Sequence, residues 1–449
     1  MNGRRYRMKE KSSDPVIDVS QVKVGMFIHL DLGWMSHPFP LSSFKLSTED
    51  QLVILRRLGL TQVRWSPGKS DLQVDAVLLP VSTAAAAAVA SVEISAEAVA
   101  LEAHRLALAA QHAALQQCER QYAEAAVAFK GLMELVPRDP RQSKAQSMAL
   151  TSALLDKMLI EGELNIRLLN EGAGDRNTAH ALNVSIISLL LARAFGMSRA
   201  EMMDLGVGAL LHDIGKLELP ARLRNRDDSF NAAETAAYQH HVVHGVTLGR
   251  AMGLPSGPLL IIAQHHENAD SSGFPQRINM DKMSIGARIV ALVNRFDGLC
   301  NPLLSAKAMT PHEALSLIFA QGRNRFDATM LNAFIRMMGV YPPGSAVQLT
   351  DDRYALVVAV NSSRPLKPRV MLHDPKVPRE EALVINLETQ PDLGIRRSLK
   401  PQQLPRATLD YLSPRTRVAY FFEPVVNGNG NGHGNGNGNG NTQARELAA

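Results

Sequence analysis

The chain has 449 residues, 45% apolar and 20% charged, enough for about two to four domains with buried cores and disorder confined to the ends. Its only cysteines, Cys118 and Cys300, exclude a disulfide scaffold or a thiolate zinc cluster, fit a reducing cytoplasm, and leave nitrogen and oxygen as the ligands of any metal. A net charge of +5 is too dilute to mark a binder of nucleic-acid polymers, and no apolar run reaches the roughly 18 residues of a membrane span.

Residues 1–14 carry Arg4, Arg5, Arg7, Lys9 and Lys11 with no apolar run after them, so a disordered start and no signal peptide are expected. Residues 15–80 read as a small α+β module. It has a strand-like stretch at 22–30, a helix at 47–60 with Asp50 in its first turn, and a strand over Gln62–Trp65. Residues 82–170 are rich in Ala, Leu, Glu and Gln and are interrupted only at Pro137 and Pro140. They predict a long helical hairpin, with a second run from 141 to about 169, that serves as a connector and offers a surface for homodimerisation. Residues 172–340 are helical nearly throughout and hold eight of the fourteen histidines. After Tyr341, alternation returns at 354–360 and 369–372, so 341–424 is expected to form a small β-rich appendage. The tail, 425–449, is largely Asn-Gly and has almost nothing to bury, so it is expected to be disordered, with His433 inert. The fold class is mainly α.

Within the helical region, His180, His212-Asp213, His240-His241 with His244, His265-His266-Glu267, and Asn294 with Asp297 follow in order. Imidazoles and carboxylates in this number suit a two-metal site, in which one carboxylate is shared between ions about 3.5–4 Å apart. The apolar run Ala209-Leu210-Leu211 ends directly in His212-Asp213, and an ionised Asp at the end of a buried run calls for a cation.

His212-Asp213-Ile214-Gly215-Lys216, followed by His265-His266-Glu267, Asp270 and Gly273-Phe274-Pro275, resembles the HD-GYP family, a branch of the HD metal-dependent phosphohydrolases that degrade cyclic di-GMP. Residues 22–70, with Gly25-Met26-Phe27, Leu30-Asp31, Trp34 and Pro38-Phe39, resemble the module that often precedes such domains. The resemblance implies an all-helical HD-type bundle and two divalent ions, iron, manganese or similar. It implies His180, His212, Asp213 and Asn294 as ligands of one ion, and Asp213, His241, His265 and His266 as ligands of the other. Lys216 and Asp213 become the catalytic residues, Gly273, Phe274 and Pro275 border the substrate, and Glu267 and Asp270 brace that loop. The implied reaction is metal-assisted hydrolysis of cyclic di-GMP to linear pGpG and then GMP, in cytoplasmic signalling with protein partners.

Several positions depart from the family pattern. Asn294 stands where a metal-binding Asp is usual, and Arg176, four residues before His180, stands where a third ion would need Glu. Ser271 replaces a glycine and Phe274 a tyrosine. Leu303-Leu304-Ser305-Ala306 replaces the run that supplies phosphate-binding arginines, leaving Lys307, Arg288 and Arg277 as the expected substitutes. Two readings stay open: an active phosphodiesterase, and a degenerate domain that kept its metal scaffold as a binding or interaction module.

Overall fold

The computed structural model describes residues 14–30, 32, 37, 39, 43–71, 96–170, 174–226, 228–321, 324–415 and 417–425. Nearly all of the basic start, the Asn-Gly tail, and Asp31, Trp34 and Pro38 lie outside them.

The N-terminal module is an antiparallel sheet in the order β1 (Val16–Asp18), β4 (Gln62–Trp65), β2 (Phe27–His29), β3 (Ser43–Lys45), covered by α1 (Glu49–Arg57). Thr48 caps α1 by accepting from Gln51 N, with acidic residues in the first turn and Arg56 and Arg57 in the last, the arrangement the helix dipole favours. Ile28, Leu46, Leu55 and Val63 form the module's own core. The module is tied to the rest by a buried lysine: Lys157 Nζ donates to the backbone carbonyls of His37 and Phe39.

The Ala-rich segment forms two helices, α2 (Ala96–Leu135) and α3 (Pro140–Met158), with Pro140 at the first turn of α3 and Asp139 capping it. Tyr122, Phe129 and Leu132 of α2 and Leu150, Leu154 and Leu155 of α3 belong to the same core as the central helices, so the pair is a layer of that domain as well as a link. The helix expected to run to about residue 169 ends at Met158. After Gly162, with φ 108°, the chain forms the strand β5 (Leu164–Leu168), buried along its whole length. Leu164, Ile166 and Leu168 alternate there with Asn165 and Arg167, but five residues of alternation after a long helical pattern are too short a signal to separate strand from helix.

The central bundle comprises α4 (Arg176–Ala194), α5 (Arg199–Leu211), α6 (Ala232–Gln239), α7 (His241–Met252), α8 (Ser256–Gln264), α9 (Ile285–Cys300), α10 (Pro311–Gln321) and α11 (Ala328–Met338). The C-terminal part is a seven-stranded antiparallel sheet. Its path is β10 (Ile395–Leu399), β6 (Ala346–Leu349), β7 (Tyr354–Asn361), β5, β11 (Tyr420–Pro424), with β8 (Arg369–Leu372) and β9 (Val384–Asn386) branching from β7. β5 therefore stitches the sheet to the bundle. The pairing is reinforced by the buried ion pair Arg167–Glu423 at 2.9 Å. On the far side of the sheet, the Gln111 amide of α2 pairs with Ala382 O and Val384 N, covering part of the β9 edge. No helix among the described residues is long and apolar enough to cross a membrane.

Candidate metal centre

The site is built where five helices bring their ends or inner faces together. A capping box of Ser198 and Glu201 starts α5, whose buried face (Met202, Leu205, Leu210) carries the chain to His212. Asp213 follows with φ −98° and ψ 9°, the bridge region, and opens a 3-10 segment, Ile214–Glu218. Gly215 lies so close to α7 that a Cβ there would stand 1.9 Å from His241 O. Only glycine lets the His-Asp turn approach the helix that supplies His241.

The two ligand sets share Asp213. His180, His212 and Asp213 offer atoms within 4.8 Å of one another, and so do Asp213, His241, His265 and His266. Asp213 Oδ2 lies 3.4 Å from His212 Nε2 and 3.7 Å from His180 Nε2, while Oδ1 lies 3.4 Å from His241 Nε2 and 3.7 Å from His265 Nε2.

Hydrogen bonding fixes the imidazole tautomers. Nδ1 of His212, His241 and His265 meets the carbonyl oxygens of Ala209, Tyr238 and Ile262 at 2.7, 2.6 and 2.8 Å. Carbonyls only accept, so each Nδ1 carries the proton and each Nε2 presents a lone pair. His180 Nδ1 is held likewise by Asp297 Oδ2 at 2.6 Å. The lone pairs then face each other: His180 Nε2 is 3.2 Å from His212 Nε2, and His241 Nε2 is 3.3 Å from His265 Nε2. Two such acceptors cannot bond to one another, and Asp213 Oδ1 and His266 Nε2 are buried with no hydrogen-bond partner. A cation between them satisfies every one of these atoms, so the residues present fit divalent metal.

The electrostatics agree. Burial, foremost, lowers the pKa of His241 to about 3 and that of His266 well below the ordinary value, so both imidazoles are neutral at pH 7, the form a metal ion requires. Burial opposes the charge on Asp213, but Lys216 and His212 outweigh it and hold the carboxyl well below the usual range. Lys216 Nζ lies 2.5 Å from Asp213 Oδ2 and 5.5 Å from the centre of the Tyr238 ring.

Asp297, paired with His180, is itself fixed. Its Oδ1 accepts from Asn183 Nδ2 and Asn301 Nδ2, each at 2.8 Å, and both amides also donate to Val418 O at 3.0 Å, next to β11. The C-terminal strand is thus connected through two asparagines and Asp297 to His180. In the sequence Asp297 stands without a role and Asn183 and Asn301 do not stand out at all, because polar residues inside an apolar helix carry no signal until their partners are known.

A cavity of about 690 Å³ opens beside the cluster, within the size range of small-molecule sites. His180, His265, His266, Lys216, Asn294 and Phe274 line it, and the Phe274 ring stacks on His266 with centroids 4.4 Å apart. Gly273 borders the cavity, and a Cβ there would meet three backbone atoms at 2.5 Å, so the loop can fold against 266–268 only as glycine. Glu267 is buried and accepts from the N–H groups of Gln276, Arg277 and Ile278, while Asp270 Oδ1 accepts from Ser272 N.

Four substrate-binding expectations find other positions. Arg288 lies six residues before Asn294, about 240° around the helix, and pairs with Asp327 at 3.2 Å, outside the cavity. Lys307 lies outside the lining and pairs with Asp228 at the cavity wall, at 2.6 Å, and Pro275 is exposed outside the lining, as is Arg277. Leu303 does line the cavity. Besides Lys216, the cations there are ones the sequence did not single out for the substrate: Arg176, Arg226, Arg295 and Arg325. Arg176 is held by Asn301 O and Asn225 Oδ1 at 3.1 and 2.6 Å.

Residues 163–330 match the family described as HD domain, and residues 16–146 match a domain of unknown function, DUF3391. The chain is 26% identical to the cyclic di-GMP phosphodiesterase PA4108 of Pseudomonas aeruginosa over 79% of this chain and 84% of that protein. It is 29% identical to the cyclic di-GMP phosphodiesterase response regulator RpfG of Xanthomonas campestris over 34% of this chain and 41% of that one. It is also 29% identical to a 3'3'-cGAMP-specific phosphodiesterase of Vibrio cholerae over 38% and 34%. Among solved structures it is similar to Bd1817, an HD-GYP-type protein of Bdellovibrio bacteriovorus, at 17% identity, covering 71% of this chain and 97% of that one with a TM-score of 0.39.

Proposed function

We propose that this chain, which carries an HD domain of the HD-GYP type over residues 163–330, is a metal-dependent phosphodiesterase that opens cyclic di-GMP. The observation that carries the reading is the convergence of imidazole lone pairs on the two oxygens of Asp213, an arrangement that is unfavourable without cations. Two divalent ions, iron, manganese or similar, would be held by His180, His212, Asp213 and the Asn294 amide, and by Asp213, His241, His265 and His266. When bound, they supply Lewis-acid charge and a water acidified enough to attack phosphorus at neutral pH.

The chain's own side chains do the rest. Lys216, kept charged by Asp213 and Tyr238 against its burial, is placed to neutralise a phosphate oxygen at the cluster. Arg176, immobilised by two hydrogen bonds, adds a second cation on the same wall. Phe274 offers a ring on which a guanine can stack. Water adds across one P–O3′ bond, leaving a phosphate on one guanosine and a hydroxyl on the other, hence pGpG, and a second cut gives GMP.

A cytoplasmic setting suits two buried, unpaired cysteines. Exposed Val99, Leu101 and Leu106 on α2 support self-association through that helix, which light scattering would read as a dimer mass. The function itself is tested by purifying the protein with Mn²⁺ or Fe²⁺, measuring bound metal, and following cyclic di-GMP and 3'3'-cGAMP turnover beside an Asp213→Ala control. Turnover of cyclic di-GMP abolished by the substitution supports the enzyme. Bound metal without turnover, even after Asn294→Asp, rejects it in favour of a binding module.

A further inference from the structure

Three of the cavity's arginines come from separate parts of the chain: Arg226 from the segment before α6, Arg295 from α9 beside Asn294, and Arg325 from the turn before α11. Among the described residues none of the three guanidiniums has an ion-pair partner, and the only carboxylate lining the cavity, Asp228, is engaged by Lys307. The three charges lie close enough to act on one another, Arg295 being in the field of Arg325 and Arg226. Arg325 also acts on Asp270, which does not line the cavity, and Arg176 lies in the field of Asp297 and Asp213. The cavity therefore has two cationic regions, one at the metal ligands and one made by the trio. Like-charged guanidiniums gathered in a concave site favour an anion with several acceptor oxygens.

We propose that Arg226, Arg295 and Arg325 form a second phosphate site, which grips the phosphate of the dinucleotide that is not being cut. The proposal deepens the phosphodiesterase reading and rests on it for the identity of the substrate. It also accounts for the loss of charge at Leu303, because the cations that the 303–306 segment lacks return from three other places on the same cavity. A ligand with two phosphates reaches both regions, whereas one with a single phosphate reaches only one.

The test uses the register of the second cut, in which the internal phosphate of pGpG lies at the metal ligands and its terminal phosphate at the trio. It compares pGpG with GpG, which lacks only that terminal phosphate, by calorimetric titration of metal-loaded full-length protein, with cyclic di-GMP as reference. Wild type should bind pGpG at least about tenfold more tightly than GpG, the scale of one or two charge-assisted hydrogen bonds. An Arg295→Ala/Arg325→Ala variant should bring that ratio close to one, and the Arg295→Lys/Arg325→Lys variant, which keeps charge but loses the fork geometry, should fall between. All three positions are exposed, and should the alanine variant fail to fold, the lysine pair gives the same readout. A ratio equal in wild type and variants, no preference for pGpG in wild type, or no dinucleotide binding at all overturns the proposal. A ratio that collapses in a protein that turns nothing over leaves the phosphate site standing and removes the catalytic reading alone.

Discussion

Asp213 accepts a hydrogen bond from Lys216 on Oδ2 at 2.5 Å and has none on Oδ1, although Oδ1 is buried and faces His241 and His265. One oxygen is balanced by a built-in cation, and the other awaits one. Asp213→Asn keeps the shape but removes the charge that both ligand sets share. Bound metal should drop from about two ions per chain to fewer than one, and turnover should drop more than about 100-fold, since even outer partners of ligands are worth 10–100-fold. Elemental analysis beside a turnover assay reads both, and a variant that keeps two ions would show that Asp213 is not the bridge.

Asn294 lines the same cavity as His180 and His266 and brings no charge. Restoring the carboxylate with Asn294→Asp should tighten the weaker-bound ion by about tenfold or more and raise turnover at limiting metal. Competition against a chromogenic chelator measures the affinity. An unchanged affinity would mean that residue 294 does not ligate.

The legible part of this protein was what period and spacing encode. Apolar spacing predicts the central helices, and the ordered His and Asp motifs single out residues that the fold brings together around Asp213. β5 was not legible, because the alternation of Leu164, Ile166 and Leu168 with Asn165 and Arg167 lasts only five residues and its partners lie some 190 to 260 residues away. The cavity's arginines were missed for another reason: surface-type charges have no period, and only the fold shows that Arg226, Arg295 and Arg325 line one cavity while Arg288 turns to Asp327.

The link from β11 through Asn183 and Asn301 to Asp297 and His180 makes the C-terminal strand part of the support for the candidate metal centre. Asp297→Asn removes the charged acceptor that fixes the His180 tautomer. Affinity for one ion, the one at His180 and His212, should fall about 10–100-fold while the other ion stays bound. Asp297→Glu should recover part of the loss. Loss of both ions together, or of neither, would argue that Asp297 serves only the packing.

His37 is buried at the contact with α3, and burial, aided by the charge of Lys157, lowers its pKa to about 4 against an ordinary 6.5. The folded state therefore holds this imidazole neutral while the unfolded chain takes up a proton first. The stabilisation is complete above pH 6.5 and is lost as pH falls toward 4. Between pH 7 and pH 5 the wild type should lose about 1–2 kcal/mol more unfolding free energy than His37→Asn, each tenfold difference in proton affinity being worth about 1.4 kcal/mol before screening by solvent. Lys157, whose own pKa burial lowers to about 8, stays largely charged throughout this window and so cancels in the comparison. Denaturant titrations of the two proteins at both pH values give the difference, and parallel losses in wild type and variant would place the acid sensitivity in the histidines of the metal centre instead.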